Sequence, residues 1–297
     1  MSRHHVISAK ERSSLQDIEL VARTMVEGLR QGLHRSPFHG YSAEFSQYRH
    51  YRPGDDLKYV DWKAFGRTDR LYTRQFRETT NLAALFVLDV SRSMDFPRDD
   101  GAARSKFALA RAAAAALAAL VIDQGDTAGI LAVGEATAYV PPRSGRHHLH
   151  TVLAALSRLE PSSATSVSAA LTRVATVMRR RGLVVILTDL YEEEATLGQV
   201  RRLSRMGHEV IVLHVLARQE LHLRGLPAGE IVDLETGATL TLDPAAAERR
   251  YANAFSDFLE RVRHRVTREG LDYARLIADE PLEPALRRFL IARRGGG

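Results

Sequence analysis

The sequence predicts an α/β fold with a doubly wound, mostly parallel sheet, one antiparallel edge strand and a small N-terminal α+β cap. From residue 82 onward, short apolar runs alternate with helical patterns, which is typical of an open sheet covered by helices. Several runs are apolar at nearly every position, as in strands buried on both faces. Gly134-Glu135 separates two runs and indicates a hairpin, which places one antiparallel strand at the sheet edge. We expect an N-terminal helix and the cap within residues 1–80, and the main domain with a C-terminal extension within residues 81–297.

The main domain begins with an apolar strand, and a long alanine-rich helix follows it. Pro161 opens a Pro-Ser-Ser turn between two helical segments, and Pro244 is favourable in the first turn of a long amphipathic helix. Strands are predicted over residues 82–88, 128–133, 136–140, 183–187, 209–216, 230–234, 238–242 and 271–277. Helices are predicted over residues 103–123, 147–159, 166–180, 197–206, 244–268 and 283–293.

The N-terminal segment has a different pattern. A helix is predicted over residues 14–28, Pro53-Gly54 marks a tight turn, and residues 71–76 form a strand. Two interpretations apply to the polar and aromatic side chains near this turn. The acids could satisfy backbone N–H groups while the tryptophan packs the cap onto the sheet. Alternatively, a partner protein docks on this group, which comprises Asp55, Asp56, Asp61 and Trp62.

The composition limits the class of protein. Without cysteine the chain has neither disulfides nor thiolate metal ligands. The N-terminus lacks the apolar core of a secretion signal, and the longest apolar stretch is about 11 residues, against the roughly 20 that span a bilayer. We therefore expect a cytoplasmic protein. The net charge is +6, but basic and acidic residues are interleaved and no recognition motif accompanies them, so a nucleic-acid partner is not expected.

The first strand of the main domain ends in short oxygen-bearing side chains, in the pattern Asp89-Val90-Ser91-Arg92-Ser93. Side chains at every second position of an extended segment project to the same side. Their hard oxygens suit Mg²⁺ or Mn²⁺, so the pattern predicts a divalent-cation site. A simpler interpretation is that Ser91 or Ser93 caps the helix that begins near Ala102.

Two further loops bring oxygen ligands to the same edge of the sheet. Asp189 follows the strand at residues 183–187, and Thr165 lies in the turn before the helix at residues 166–180. Ligands of open α/β sheets bind beyond the carboxyl ends of strands, where the strand order reverses. Two carboxylates balance a divalent charge, and we expect octahedral coordination with direct hydroxyls, aspartates partly bound through water, and one open position. The predicted ligands are Asp89, Ser91, Ser93, Thr165 and Asp189.

These residues resemble the metal-ion-dependent adhesion site of von Willebrand factor A domains. Upstream, residues 51–62 and 71–76 are similar to the bacterial family called domain of unknown function 58. The resemblance covers roughly residues 15–292 and implies a von Willebrand factor A-like, Rossmann-like fold with Mg²⁺ as the first choice and Mn²⁺ or Ca²⁺ as alternatives. Many such domains have Gly-Gly-Thr where this chain has Ser163-Ala164-Thr165, which keeps the hydroxyl.

The resemblance also implies a partner. Members of the family are commonly found beside MoxR-type AAA+ ATPases. The implied function is a non-enzymatic adaptor, in which an acidic side chain of a partner protein fills the open coordination position.

An enzyme is the alternative from a different class. A metal-dependent hydrolase could act on a phosphoester with Asp89 and the bound cation, taking a base from the run Glu192-Glu193-Glu194. A haloacid dehalogenase-type phosphatase, however, requires a second acid where this chain has Ser91. The sequence also contains neither a phosphate-binding Gly-x-x-x-x-Gly-Lys-Ser/Thr loop nor a Gly-x-Ser-x-Gly nucleophile motif. We therefore expect binding rather than catalysis.

Overall fold

The computed structural model describes residues 9–30, 43–52, 60–78, 82–97, 105–133, 137–162, 166–221, 229–232, 239–242 and 244–295. Contacts divide the chain into a smaller unit, Phe38–Leu82, and a larger unit formed by Met1–Pro37 with Ala83–Gly297. The helices are α1 (Ala9–Arg30), α2 (Trp62–Thr68), α3 (Lys106–Asp123), α4 (Arg146–Ser157), α5 (Val167–Val177), α6 (Glu193–Arg205), α7 (Arg218–Leu221), α8 (Pro244–Arg268) and α9 (Leu282–Gly295). The strands are β1 (Ala43–His50), β2 (Tyr72–Glu78), β3 (Ala83–Leu88), β4 (Thr127–Val133), β5 (Thr137–Arg143), β6 (Leu183–Thr188), β7 (Glu209–Leu216), β8 (Gly229–Val232), β9 (Thr239–Leu242) and β10 (Asp272–Ile277).

A six-stranded sheet forms the centre of the larger unit, in the order β10-β7-β6-β3-β4-β5. The pairings from β10 through to β4 are parallel, and β5 is the antiparallel strand at one edge. Every residue of β6 is buried, as are nearly all those of β3 and β7, because helices lie on both sides of the sheet. The prediction of a mostly parallel sheet with one antiparallel edge strand is therefore confirmed.

Helices cover both faces of the sheet. Residues of α5, α6 and α8 pack with Leu85, Val87 and Ile186 on one face. The intervening side chains point to the other face, where α3 contacts β3, β4 and β6. Because α3 is rich in alanine and almost entirely buried, it lies close to the sheet while α1 packs against its other side. No helix within the described ranges is both long and apolar enough to cross a membrane.

The strand order reverses between β3 and β6. After β3 the chain moves to β4 on one side, whereas β6 lies on the other side and continues to β7. The two strands pair in parallel with Leu88 opposite Leu187, so both end at the same level. In open α/β sheets, such a switch point is where the loops after the strands diverge and leave a crevice.

The helix after β3 begins later than the sequence predicts and is not capped by the serines that follow the strand. Ser105 is the N-cap of α3, and its hydroxyl accepts the N–H of Ala108. Ser91 and Ser93 lie at a short 3₁₀ helix, Arg92–Asp95, and Ser91 makes no capping hydrogen bond there. The interpretation of Ser91 or Ser93 as the cap of the long helix is therefore wrong.

The smaller unit contains an antiparallel pair, β1 with β2, and the short helix α2. The sequence predicted β2 but missed β1, in which few positions are apolar, and α2, which is too short to show a helical period. The boundary expected at residue 80 lies close to the end of this unit. In contrast, α1, expected beside the cap, contacts α3, α4 and α9 and belongs to the larger unit.

Replacement of Ser105 tests the observed start of α3. We expect Ser105→Ala to lower the free energy of unfolding by about 1 kcal/mol, because the N–H of Ala108 loses its acceptor. Ser105→Asp retains an acceptor and is expected to unfold within a few tenths of a kcal/mol of the wild type, roughly the spread among good capping residues. Urea denaturation measures both. Equal destabilisation by alanine and aspartate would contradict the capping role.

Candidate cation site at the carboxyl ends of β3 and β6

Asp89 is the first residue beyond β3, and the sheet fixes its position. Its N–H donates to the carbonyl oxygen of Leu187, 2.9 Å away in β6. One carboxylate oxygen accepts the N–H of Ser91 at 2.9 Å, and the other accepts the hydroxyl of Thr188 at 2.7 Å. The residue is only 3 % exposed. Its carboxylate is therefore buried and oriented by its own loop and by the last residue of β6.

The two serines of the motif are also buried and lie side by side. The hydroxyl oxygens of Ser91 and Ser93 are 3.1 Å apart, and Ser93 also donates a hydrogen bond to Asp189. Ser91 forms an isolated parallel bridge with Ser162, whose N–H donates to the carbonyl oxygen of Val90. The Asp-x-Ser-x-Ser segment is thus held between β6 and the chain that precedes α5.

Asp189 follows β6 in a loop with an unusual backbone. Its carboxylate accepts hydrogen bonds from Lys106 Nζ at 2.8 Å and from the N–H of Tyr191 at 3.1 Å. Leu190 has a left-handed conformation with φ of 57°, which is uncommon for a residue other than glycine. The Thr188 hydroxyl accepts the N–H of Leu190, and His214 Nε2 lies 3.0 Å from the carbonyl oxygen of Asp189. These contacts fix the loop in this shape.

The structure brings together four of the five predicted ligands. Asp89, Ser91, Ser93 and Asp189 form one connected hydrogen-bonded group at the ends of adjacent strands, and the Thr188 hydroxyl also donates to Asp89. The fifth, Thr165, lies outside the described residues.

Burial and neighbouring charges act differently on the two aspartates. Burial raises the pKa of Asp89 to about 7 and the charge of Asp189 adds to this rise, although hydrogen bonds from Ser91 and Thr188 oppose it. Burial also acts to raise the pKa of Asp189. There, however, the charge and hydrogen bond of Lys106, with hydrogen bonds from Ser93 and Tyr191, lower the pKa below its usual value. At neutral pH Asp189 is ionised, whereas Asp89 is near its titration midpoint.

A cavity of about 90 Å³ adjoins Asp89 and Ser91. Thr196 also lines this cavity, is 1 % exposed, and has a hydroxyl oxygen without a partner among the described residues. Such a buried hydroxyl is normally satisfied by water or a ligand. The other lining residues are Val167, Thr188, Tyr191 and Glu192.

The donor set is compatible with a hard cation of the Mg²⁺ type, because every candidate ligand atom is a carboxylate or hydroxyl oxygen. Within the described part of the chain, no group of three or more His, Cys, Asp or Glu side chains is arranged to hold a metal ion. A cation bound by Asp89 and Asp189 would therefore depend on hydroxyls and water for its remaining ligands.

The candidate docking residues of the smaller unit have separate roles. Asp61 is 4 % exposed and caps α2, accepting the N–H groups of Lys63 and Ala64 and the hydroxyl of Tyr48. Trp62 is 59 % exposed and meets Phe65 edge to face, contrary to the interpretation of a buried packing residue. Asp55 and Asp56 lie outside the described residues.

Sequence reasoning missed several polar residues around the site. Thr188, Thr196, Lys106, Glu220 and His214 are linked to the two aspartates or line the cavity. The sequence offered an indication of Lys106, because a lysine in the first turn of an apolar helix is unfavourable with respect to the helix dipole unless an acid compensates it. His214 was a second indication, because it is a lone histidine in a strand that is apolar at all other positions after Glu209. Burial lowers its pKa to about 4, so it is neutral at pH 7.

Together these elements define an α/β protein with an oxygen-rich site at the switch point of its sheet. Residues 47–264 match the family model described as Protein of unknown function DUF58. The chain therefore belongs to this family.

Relatives and solved structures show similarity over most of the chain. The chain is 29% identical over 302 residues to Uncharacterized protein Rv1480 of Mycobacterium tuberculosis, covering 100% of this chain and 94% of the relative. An uncharacterized protein of Mycobacterium bovis gives the same values. An aerotolerance-related membrane protein from Bacteroides fragilis has a TM-score of 0.44 at 16% identity, covering 72% of this chain and 99% of its own. The conserved hypothetical protein BatB from Bacteroides thetaiotaomicron has a TM-score of 0.46 at 14% identity, covering 72% and 100%.

Replacement of Asp89 by asparagine tests the buried charge. The pKa of Asp89 is raised from 3.8 to about 7 on folding, so the stability linked to its proton is present at low pH and is lost as pH rises through 7. In EDTA near pH 8 we expect Asp89→Asn to be more stable than the wild type by about 2 kcal/mol, and near pH 5 the difference should shrink. Urea denaturation measures this. An asparagine variant that is less stable at both pH values would refute the charge argument.

Proposed function

We propose that this protein is a non-enzymatic, cation-dependent protein-interaction module. In this proposal the larger unit is a von Willebrand factor A-like domain of Rossmann-like topology. Its metal-ion-dependent adhesion site binds Mg²⁺, with Mn²⁺ or Ca²⁺ as alternatives, through Asp89, Ser91, Ser93, Thr165 and Asp189. The observation that supports the proposal is the meeting of two buried carboxylates and two hydroxyls from adjacent strand ends at the switch point.

The ligand types favour binding of a further anion. Hydroxyl ligands are neutral, so a divalent cation held by Asp89 and Asp189 through hydroxyls and water remains electrophilic. A carboxylate from a partner protein then completes the coordination. A cavity of about 90 Å³ adjoins Asp89 and Ser91, where such a side chain would bind.

The neighbouring acids favour binding over catalysis. Glu193 and Glu194 lie in the first turn of α6 and both pair with Arg265. Glu192 lines the cavity, but its carboxylate accepts the hydroxyl of Ser166. A hydrolase would require one of these acids to act as a base towards a cation-bound water. Their pairing therefore favours the adaptor over the phosphoester hydrolase.

The proposed partner is a MoxR-type AAA+ ATPase, on the strength of the family resemblance. The adaptor would work in the cytoplasm, where such an ATPase has access to ATP. Asp55, Asp56, Asp61 and Trp62 form a proposed second docking surface. Within it Asp61 already caps α2, and Trp62 is the exposed aromatic side chain that a partner can bury.

Calorimetric titration with Mg²⁺ and Mn²⁺ tests the cation site. We expect the wild type to bind with heat exchange and Asp89→Ala and Asp189→Ala to lose affinity by more than about 100-fold, because each removes a carboxylate ligand. Asp89→Asn removes the charge while keeping the shape and should lose affinity as well. Asp257→Ala, which removes an exposed carboxylate of α8, is the matched control. Equal Mg²⁺ and Mn²⁺ affinity in the wild type, Asp89→Ala and Asp189→Ala would refute the proposed cation site.

Capture of a partner tests the adaptor. A purified MoxR-type ATPase should be retained by the immobilised protein in Mg²⁺ and released by EDTA. Ser91→Ala and Thr165→Ala should weaken capture by about tenfold or more, since each removes a hydroxyl ligand. Capture that is unaffected by Asp89→Ala, Ser91→Ala and Thr165→Ala would show that the cation is not the contact. Hydrolysis of a phosphoester that depends on Asp89 would favour the enzyme instead.

A further inference from the structure

Lys106 is a buried lysine with two carboxylate partners. It is 1 % exposed at the start of α3, and its Nζ lies 2.8 Å from Asp189 Oδ2 and 2.5 Å from Glu220 Oε1. Burying an ammonium group at the positive end of a helix is unfavourable unless nearby acids compensate it. The position of Lys106 is therefore governed by these two carboxylates.

Glu220 is a fixed anchor for this lysine. Its second carboxylate oxygen accepts the N–H of Ala217 at 2.8 Å, and its backbone carbonyl oxygen accepts the hydroxyl of Tyr251 in α8 at 2.9 Å. Both hold Glu220 in the short helix that follows β7. Lys106 thus links Asp189 to a hydrogen-bonded residue outside the loop that carries Asp189.

Each part of Asp189 is restrained from a different direction. Lys106 binds one carboxylate oxygen, the N–H of Tyr191 binds the other, and His214 contacts the carbonyl oxygen. The following residue, Leu190, is in the left-handed conformation, so the loop depends on its contacts to keep this shape. Lys106 and Ser93 both hold the carboxylate from outside the loop, and Lys106 is the charged contact of the two.

The charges of this group match a divalent ion. When all are ionised, the carboxylates of Asp89, Asp189 and Glu220 together with the ammonium of Lys106 leave two negative charges. A bound Mg²⁺ would neutralise them. Without the lysine the same carboxylates would carry an uncompensated excess in a buried region.

We infer that Lys106, anchored by Glu220, is a positioning residue that holds Asp189 in the geometry required by a small octahedral cation. This inference rests on the proposed cation site. Mg²⁺ demands near-ideal octahedral ligands at short distances, whereas Ca²⁺ accepts irregular arrangements. Release of Asp189 from Lys106 therefore penalises Mg²⁺ more than Ca²⁺, a difference that general loosening of the fold does not produce.

The test compares the cation affinities of the wild type with those of a variant that lacks both charges of the Lys106–Glu220 pair. Lys106→Met alone leaves the carboxylates of Asp189 and Glu220 without the compensating lysine ammonium. The main variant is therefore Lys106→Met with Glu220→Gln, in which the glutamine still accepts the N–H of Ala217. Lys63→Met, at an exposed lysine of α2, is the matched control. Calorimetry with Mg²⁺ and with Ca²⁺ gives both affinities, and hydrogen exchange in EDTA reports on the loop without any cation.

We expect the double variant to lose Mg²⁺ affinity by about tenfold or more while its Ca²⁺ affinity changes by less than about threefold. In EDTA, the Tyr191 amide should exchange faster while the amides of β6 keep their protection, because only the loop has lost a restraint. Lys63→Met should match the wild type in each measurement.

Distinct outcomes separate failure of the proposed cation site from failure of the role inferred for Lys106. If the wild type binds neither cation, the proposed function fails and the role of Lys106 fails with it. If the wild type binds Mg²⁺ and the double variant binds it equally well, only the role of Lys106 is refuted. An equal loss of Mg²⁺ and Ca²⁺ affinity, with faster hydrogen exchange throughout β6, would show that Lys106 only stabilises the fold. That result would also overturn the inference.

Discussion

The parallel pairing of β3 with β6 is the constraint on which the rest of the site depends. Leu88 lies opposite Leu187, so Asp89 and Thr188 leave the sheet beside each other and their side chains can bond. The backbone N–H of Asp89 continues the strand ladder by one more hydrogen bond. A register slip of one residue would turn every side chain of one strand to the opposite face and separate these groups. The chemistry of the crevice is therefore set by the same hydrogen bonds that build the sheet.

The buried ionisable groups at this edge oppose the stability of the fold. A cluster of carboxylates and a lysine removed from water costs more desolvation free energy than apolar residues of the same size. The core beneath it shows the alternative, since β6 and α3 are packed almost entirely with apolar side chains. The charged side chains are therefore concentrated at the switch point of the sheet, above an apolar core.

The sequence predicted the fold well where the hydrophobic period is strong. The bounds of β7 and α8 match the predicted ranges because both have long, clear patterns, whereas α6 begins four residues early, at the acids that favour a helix N-terminus. Asp89 and Asp189 could be found because each directly follows an apolar strand. The contact between Lys106 and Glu220 could not, because 114 positions separate the two residues and local patterns carry no distance information. Neither could the role of Thr188, because a threonine at the end of a strand is common and does not by itself indicate a functional hydroxyl.

The bounds of α2 are fixed by the residues at its two ends rather than by burial of its side chains. Asp61 caps its start, Asp69 closes it in a left-handed conformation, and none of its residues is buried. Apart from the contact between Trp62 and Phe65, its exposed positions are under few packing constraints, so most of them can change at little cost in folding. Such a helix is a surface on which recognition can diverge while the scaffold stays the same, and it is a natural place to engineer a new binding specificity.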